Sequence, residues 1–189
     1  TLETSEIYRL NHETLEKDGQ AYKISPETTE LVSKGLEYGQ LSHGAFDITI
    51  GPVSSLWDFT SEIKKVPTKE ELSASLPLVS YQDVQVSKNR ITFSQKGMML
   101  DLGAIAKGYI ADKIKEFLLE NEVRSATINL GGNVLCIGEK PDGSPFRIGI
   151  QKPFADRSET IAVMNISDKS VVSSGIYERY FEQDGVFYH

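Results

Sequence analysis

The sequence predicts an α+β protein with a helix-rich first half and a mostly antiparallel, strand-rich second half. Helix patterns with clear start signals dominate the chain up to Leu118, whereas the rest consists of short apolar runs separated by turns. Helices and strands do not alternate regularly, as they would in a doubly wound parallel sheet. We therefore expect one mixed domain over residues 1–189. We also expect this domain to be incomplete at both ends.

The first clear helix start is the Ser-Pro-Glu sequence at 25–27. It combines an N-cap, a proline at the first helical position and an acid in the first turn. Leu31, Val32 and Leu36 then share one helix face, and Gly44 ends the helix.

Two further helices carry their own signals. Thr68 with Glu71 forms a capping box for a short helix that Pro77 ends. A longer helix is predicted after Gly103, because four apolar residues follow at helical spacing: Ile110, Ile114, Phe117 and Leu118.

Short strand-like runs account for most of the remaining chain. In the first half these are AFDITIGP (45–52), VQVS, ITFS and MMLD. In the second half they are ATINL, NVLCIG, FRIGI, TIAVMNI, SVVSS, YERYFE and VFYH, separated by turns such as GG, PDGSP, SDK and DG.

Composition excludes several classes of protein. With 20 basic and 27 acidic residues the net charge is −7, and no basic block is present, which argues against a nucleic-acid partner. No apolar run is long enough to cross a bilayer. The single cysteine, Cys136, lies in an apolar run and is expected to be buried and inert. The three histidines lack metal-ligand spacing.

The Gly103–Gly108 stretch joins an apolar run to a helix, but it matches neither a P-loop nor a dinucleotide fingerprint. A strand that feeds a glycine-rich turn and then a helix presents backbone N–H groups and a positive dipole end. Lys107 adds a cation in the first turn, which is unfavourable for the helix itself. An anion-binding role and a plain structural turn both remain open.

Three other features have two interpretations each. Asp47 and Thr49 alternate with Phe46 and Ile48, which places Asp47 on a polar strand face. Asp47 is either a solvated or capping aspartate or a hydrogen-bond acceptor for a ligand. The turn at 131–133 is either an ordinary hairpin or a point where backbone closely approaches a flat ligand. The Ser-Ser-Gly bend at 173–175 either lines a cleft or is a simple strand bend.

Taken in order, six motifs resemble the ApbE family, the FAD:protein FMN transferases of bacteria. The resemblance spans nearly the whole chain. The motifs are SEIYRLN (5–11), GAFDITIGPVSSLWDF (44–59), LDLGAIAKGYIADKI (100–114), INLGGNVLCIG (128–138), RIGIQKP (147–153) and SSGIYERYF (173–181).

The resemblance implies an enzyme that uses FAD as its substrate and Mg²⁺ as cofactor. It implies transfer of the FMN half of FAD to a Thr or Ser hydroxyl of an acceptor protein, with release of AMP. Two alternatives stay open: a Mg²⁺-dependent FAD pyrophosphatase that yields FMN and AMP, and an FAD-binding protein without chemistry. The resemblance also implies an extracytoplasmic bacterial lipoprotein associated with a membrane.

Candidate site residues follow from the matched motifs. The resemblance implies that Ala104 offers its backbone carbonyl to Mg²⁺, a hard cation that prefers oxygen ligands. It places the remaining residues at the flavin nucleotide: Asn11, Ala45, Phe46, Asp47, Gly103, Ala104, Lys107 and Ser174.

One family motif has no counterpart in the chain. The His-x-x-Asp-Pro-x-Thr-Gly sequence, which supplies metal ligands and a general base in the family, is expected to follow the final strand, so we expect the chain to stop before it. His189 is a candidate for that base, although the alignment favours His189 as the residue that precedes the histidine of the motif. No catalytic base is therefore assigned.

Overall fold

A computed structural model describes residues 2–57, 64–156, 158–176 and 180–189. The chain divides into two compact units, residues 1–106 and residues 107–189, called here the N-terminal and C-terminal units. Residues 58–59, at the end of one sequence motif, and residues 177–179, inside another and at the start of the predicted YERYFE strand, lie outside the described residues. The expected single-domain organisation stays a prediction.

Helices and strands are numbered in chain order. The N-terminal unit contains α1 (Glu6–Asn11), β1 (Lys17–Asp18), β2 (Ala21–Lys23), α2 (Pro26–Leu41), α3 (Gly51–Ser54), α4 (Lys69–Ser75), β3 (Val84–Ser87) and β4 (Arg90–Phe93). At the boundary, α5 (Ala106–Glu120) begins. It is followed by β5 (Ala126–Leu130), β6 (Asn133–Ile137), β7 (Phe146–Gln151), β8 (Thr160–Ile166), β9 (Ser170–Val172), β10 (Phe181–Gln183) and β11 (Val186–Tyr188).

The predicted α+β class is confirmed. In the N-terminal unit, four strands form one antiparallel sheet in the order β1-β2-β4-β3. In the C-terminal unit, β5, β6 and β9 form a three-stranded antiparallel sheet, and β7–β8 and β10–β11 pair as antiparallel hairpins.

The helix starts are where the sequence signals put them. The Ser25 side chain accepts a hydrogen bond from the Thr28 backbone at the start of α2, and Pro26 occupies the first helical position. Both halves of the capping box between Thr68 and Glu71 are formed at α4. Helix α2 ends at Leu41, three residues before Gly44. These cap partners lie three residues apart, so the signals can be read from local sequence, although the Ser25 hydroxyl also donates to Glu6 of α1 at 2.8 Å.

Two predicted strands are wrong. The AFDITIGP and MMLD segments form no strand, and a single parallel bridge between Ile50 and Met99 joins them. The reason is local: the Asp47 side chain accepts a hydrogen bond from the Thr49 backbone and thereby folds residues 47–50 into a turn. The chain then enters α3 at Gly51 instead of extending.

Helix α5 packs with a narrower face than its spacing predicts. Ala111 is buried, and Ile114 and Leu118 pack against it together with strands β5 and β6. Ile110 and Phe117 are instead 46% and 62% exposed. They lie seven residues apart, so they share a stripe beside the buried one, and a helix resting on one sheet buries only its central stripe.

Each unit has its own hydrophobic core. In the N-terminal unit the core gathers around Val32, Ile48 and Ile91, all at most 1% exposed. The core of the C-terminal unit lies between α5 and the sheet of β5 and β6. Cys136 is fully buried, as expected, and burial raises the pKa of its thiol. No helix in the described ranges is long and apolar enough to span a membrane.

Candidate functional site

Asp47 is the centre of a hydrogen-bonded cluster in the N-terminal unit. Its Oδ1 accepts from the Thr49 backbone N–H at 2.8 Å and from the Thr49 hydroxyl at 2.6 Å. Its Oδ2 accepts from the Tyr81 backbone N–H at 2.8 Å. The Thr49 hydroxyl in turn accepts from the Ser80 backbone N–H at 2.8 Å. Asp47 and Thr49 therefore tie the 47–50 turn to the segment at 80–81.

Thr49 differs from its predicted position. The alternation of AFDITIGP predicts it on a polar, exposed face together with Asp47, but Thr49 is completely buried. Its burial is stable because the hydroxyl both donates and accepts one hydrogen bond, which satisfies a buried polar group.

A second set of bonds joins the 44–54 motif to the 100–106 turn. The Asp101 backbone N–H donates to the Ile48 carbonyl at 2.8 Å. The Asp101 side chain accepts from the Ser54 hydroxyl at 2.9 Å and from the Gly103 N–H at 2.9 Å. Two motifs that are distant in sequence thus form one hydrogen-bonded surface.

Gly51 is needed for this approach. A Cβ atom at Gly51 would lie 2.6 Å from the Met99 carbonyl oxygen and 2.8 Å from the Met99 Cβ. Only glycine allows α3 to start this close to the strand-like segment before Leu100.

Asn11 holds the same turn from α1. Its Nδ2 donates to the Leu100 carbonyl at 2.8 Å, and its Oδ1 accepts from the Leu100 N–H at 2.9 Å. A primary amide has one further donor and one further acceptor position, so the pairing with Leu100 leaves part of the Asn11 amide for other contacts.

The 100–106 turn uses several of its own N–H groups. The Gly103 N–H donates to Asp101, and the Ile105 and Ala106 N–H groups both donate to the Leu102 carbonyl. An anion at this turn would therefore not find all the donors that the sequence interpretation assumes. Gly103 and Ala104 are exposed, and because Gly103 has no side chain and Ala104 only a methyl group, the surface of the turn is open.

The remaining predicted residues of the 44–54 motif have different surroundings. Ala45 is exposed, and its N–H donates to the Ser42 carbonyl at 3.2 Å. Phe46 is half-buried against the core and meets the Tyr38 ring edge-on, with ring centroids 6.2 Å apart.

In the C-terminal unit, Lys107 lies in the first turn of α5 and is exposed, and its Nζ donates to the Gly131 carbonyl at 3.4 Å. Gly131 and Gly132 both have positive φ, 59° and 87°, as a two-residue type I′ hairpin turn requires. The hairpin interpretation of this motif is therefore confirmed. The hairpin also meets α5, because Asn133 lies against Gly108.

Ser174 belongs to the same end of the C-terminal unit. Strand β9 ends at Val172, which pairs with Asn133, and the exposed Ser174 follows two residues later. His189 follows β11 in another hairpin, where its ring lies 6.0 Å from that of Phe187. The structure thus groups Lys107 with the 131–133 turn and the 173–175 bend.

A metal site needs several ligand side chains close together. In the described ranges, no group of three or more His, Cys, Asp and Glu side chains could hold one. Ala104 offers only a backbone carbonyl, and the nearby Asp101 carboxylate accepts from Ser54 and Gly103. The described residues by themselves do not fit a magnesium site.

Comparison with known proteins gives the chain its family. The family model described as "ApbE family" matches residues 1–189. The chain belongs to the ApbE family. It is 38% identical over 187 residues to an FAD:protein FMN transferase of Klebsiella pneumoniae and 32% identical over 186 residues to one of Vibrio cholerae. These alignments cover 98% and 97% of this chain but 56% and 55% of the relatives.

Solved structures of ApbE proteins have the same fold. The ApbE protein of Thermotoga maritima superposes with a TM-score of 0.87 at 32% identity, covering 100% of this chain and 60% of that one. The flavinyl transferase ApbE of Pseudomonas stutzeri, in its apo form, gives a TM-score of 0.79 at 31% identity, covering 100% and 58%. The chain spans a little over half the length of the ApbE relatives it matches.

The sequence analysis assigned no side-chain role to four residues that organise these sites: Thr49, Ser54, Asp101 and Asn133. The partners of Thr49, Ser54 and Asp101 are set by tertiary contacts that no local pattern encodes. For Asn133 a signal was present, because an asparagine opens the otherwise apolar strand NVLCI.

Proposed function

We propose that this protein transfers the FMN half of FAD to a Thr or Ser hydroxyl of an acceptor protein. The hydroxyl oxygen forms a bond to the FMN-side phosphorus, the bond from that phosphorus to the AMP oxygen breaks, and the hydroxyl proton passes to solvent. AMP leaves, and a phosphoester-linked flavin remains on the acceptor. The names of the ApbE relatives support this reaction.

The observation that carries the proposal is that hydrogen bonds join two of the ApbE-like motifs, the 44–54 motif and the 100–106 turn. Asp101 of the second motif is hydrogen-bonded to Ile48 and to Ser54 of the first. Ser54 and Asp101 lie 47 residues apart in sequence. A preorganised surface of this kind holds a bound nucleotide in one orientation, which is the main contribution of an enzyme to phosphoryl-type transfer.

Several of the proposed ligand residues are exposed on the surface. Ala45, Gly103 and Ala104 are exposed and small, so a flavin nucleotide can approach the backbone there. Lys107 offers an exposed cation to a phosphate. The other members of the proposed set are Asn11, Phe46, Asp47 and Ser174.

Asp47 has limited capacity for a ligand. A carboxylate has about four acceptor positions, and three hydrogen bonds from Thr49 and Tyr81 already occupy Asp47. We propose that Asp47 acts mainly by holding the turn that carries Ala45 and Phe46, with one position left for a direct contact.

Three points rest on the family resemblance and stay predictions. They are the dependence on Mg²⁺, the Ala104 carbonyl as a metal ligand, and the extracytoplasmic location as a lipoprotein. No chemical step is derived through the metal, because the described residues do not assemble its site. The general base stays unassigned, with His189 as the candidate named from sequence.

The proposal is tested by incubating the purified protein with FAD, MgCl₂ and a Thr-containing acceptor protein. The expected result is flavin fluorescence on the acceptor after a denaturing gel, with AMP released in equal amount. The matched control is the acceptor with that Thr replaced by Val, which has a similar shape but no hydroxyl. A parallel reaction with EDTA tests the metal requirement.

Other outcomes separate the alternatives. Free FMN and AMP without labelled acceptor would identify a pyrophosphatase that uses water. Bound but intact FAD would identify a binding protein without chemistry, and FAD that is neither bound nor changed would contradict all three readings.

A further inference from the structure

Asn133 interrupts an apolar strand face. Residues two apart in a strand point to the same side, so Asn133 shares its face with Leu135 and Ile137. Those two residues are 4% and 1% exposed and pack with Ala111 of α5. Asn133 is itself only 7% exposed, at a position where the pattern calls for an apolar side chain.

The Asn133 side chain has no hydrogen-bond partner among the residues that the structure describes. Thr49, the other buried polar residue in those ranges, uses its hydroxyl fully. Buried amides normally find partners, because an unpaired one loses the hydrogen bonds that water would give it. No polar side-chain atom in the described ranges is both sealed from the surface and unpaired, so the unpaired atoms of the Asn133 amide keep some exposed surface.

The surroundings of Asn133 favour an anion. Its Nδ2 lies 3.9 Å from the position that a Cβ atom on Gly108 would take, in the first turn of the 15-residue helix α5. The positive end of a helix dipole and its first N–H groups attract negative charge. Lys107 adds a positive charge beside the same turn, with its Nζ at the Gly131 carbonyl.

We propose that Asn133 is a ligand-binding residue of this protein and donates a hydrogen bond from Nδ2 to a phosphate oxygen held at the start of α5. Lys107 supplies the charge, Gly108 leaves room for the phosphate, and the amide supplies direction. The chemistry is that of a phosphate monoester, diester or pyrophosphate. Its assignment to the pyrophosphate of FAD rests on the proposed function.

The test compares three variants of the full 189-residue chain. Asn133→Leu restores the apolar strand pattern and removes the donor, and Asn133→Asp keeps the shape but adds a negative charge. The matched control is Asn129→Asp in the same hairpin. Asn129 is exposed and pairs with Val134, so it faces the opposite side of the sheet, and an aspartate there still accepts from the Gly132 N–H.

Dissociation constants for FAD and for inorganic pyrophosphate are measured by calorimetry, and the Tm of each variant is recorded. Asn133→Leu is expected to weaken the binding of both ligands by about tenfold, which corresponds to the loss of one hydrogen bond to a charged group. Asn133→Asp is expected to weaken them further through repulsion. Asn129→Asp is expected to stay within about twofold of the unsubstituted chain, and the Tm of Asn133→Leu should not fall.

The results separate this inference from the proposed function. Unchanged affinity in both Asn133 variants would overturn the inference while FAD binding stood. Asn133-dependent binding of pyrophosphate without any binding of FAD would support the site and contradict the flavin function. A lower Tm for Asn133→Leu, with equal loss of affinity for riboflavin, which has no phosphate, would mean a structural role and would overturn it too.

Discussion

Two regions of the molecule bury a polar side chain, and they treat it in opposite ways. In the N-terminal unit, Thr49 is fully buried and its hydroxyl both donates and accepts a hydrogen bond. In the C-terminal unit, Asn133 is nearly as buried, but its amide is unpaired within the described part of the chain. A satisfied polar group stabilises the fold, whereas an unsatisfied one is available to a ligand.

The comparison separates support from recognition. Asp47 uses three of its about four acceptor positions on neighbouring segments, and Asn11 uses one donor and one acceptor position of its amide on Leu100, so both side chains shape the turns that carry other residues. Position in a motif shared with the ApbE family therefore does not by itself make a side chain a ligand contact. Its remaining hydrogen-bonding capacity decides how much it can offer.

The largest expected effect is that of Asp47→Ala. The substitution leaves the Thr49 and Tyr81 N–H groups without their acceptor, and unfolding should require about 3 kcal/mol less free energy. FAD binding should weaken as well, because the turn at 45–50 loses its anchor. Urea denaturation and FAD titration of the same preparations measure both changes.

Asp47→Asn sharpens this result. An asparagine can still accept from Thr49 but presents an N–H₂ group to the Tyr81 N–H, so about half of the loss is expected. Asp112→Ala, at an exposed position on α5, is the control and should change stability by less than about 0.5 kcal/mol. An Asp47→Ala chain as stable as the unsubstituted one would remove the supporting role of the cluster.

Thr49→Val is the next largest effect and tests the comparison directly. Valine keeps the shape of threonine but removes the hydroxyl between Asp47 and Ser80, and a loss of about 2 kcal/mol is expected. Asn133→Leu should leave stability unchanged or raise it by about 1 kcal/mol, because no internal hydrogen bond is lost and apolar area is gained. Equal destabilisation by the two substitutions, in urea unfolding, would abolish the distinction between the regions.

The smallest effect compares two helical glycines. Replacing glycine by alanine inside a helix gains about 1 kcal/mol when the new methyl group has room. At Gly108 a Cβ atom would meet only Asn133 Nδ2, at an ordinary contact distance of 3.9 Å, so Gly108→Ala should be stabilising. At Gly35 it would lie 2.7 Å from the buried Ile48 side chain, so Gly35→Ala should be destabilising by about 1 kcal/mol.

Thermal unfolding of the two glycine variants checks the signs. A gain at Gly35 would mean that α2 can move away from Ile48. A loss at Gly108 would mean that the start of α5 is packed more tightly than its contact with Asn133 indicates.

Much of the fold is predictable from short stretches of the sequence. The caps of α2 and α4, the type I′ turn between β5 and β6, and the strands of the second half all follow from neighbours within a few residues. The failures are equally specific. The AFDITIGP alternation is that of a strand, but the Asp47 side chain bonds to the Thr49 backbone and turns the chain instead.

The candidate site shows the same division. The sequence pointed to the regions of Asp47, the 100–108 stretch and the 131–133 turn, which the structure organises into hydrogen-bonded clusters within the two units. The sequence did not reveal which polar atoms of these regions remain without a hydrogen bond. Asp101 was expected at the end of the predicted MMLD strand, yet both of its carboxylate oxygens accept hydrogen bonds, one from Ser54 and one from Gly103.

The sequence by itself determined the α+β class, the starts of α2 and α4, the hairpin of β5 and β6, and the family resemblance. The tertiary structure alone decided which polar groups of the candidate site are satisfied. The physical reason is range: a helix cap finds its partner three residues away, whereas Asn11 finds Leu100 across 89 residues and Ser54 finds Asp101 across 47. Only the folded chain leaves the Asn133 amide facing the first turn of α5.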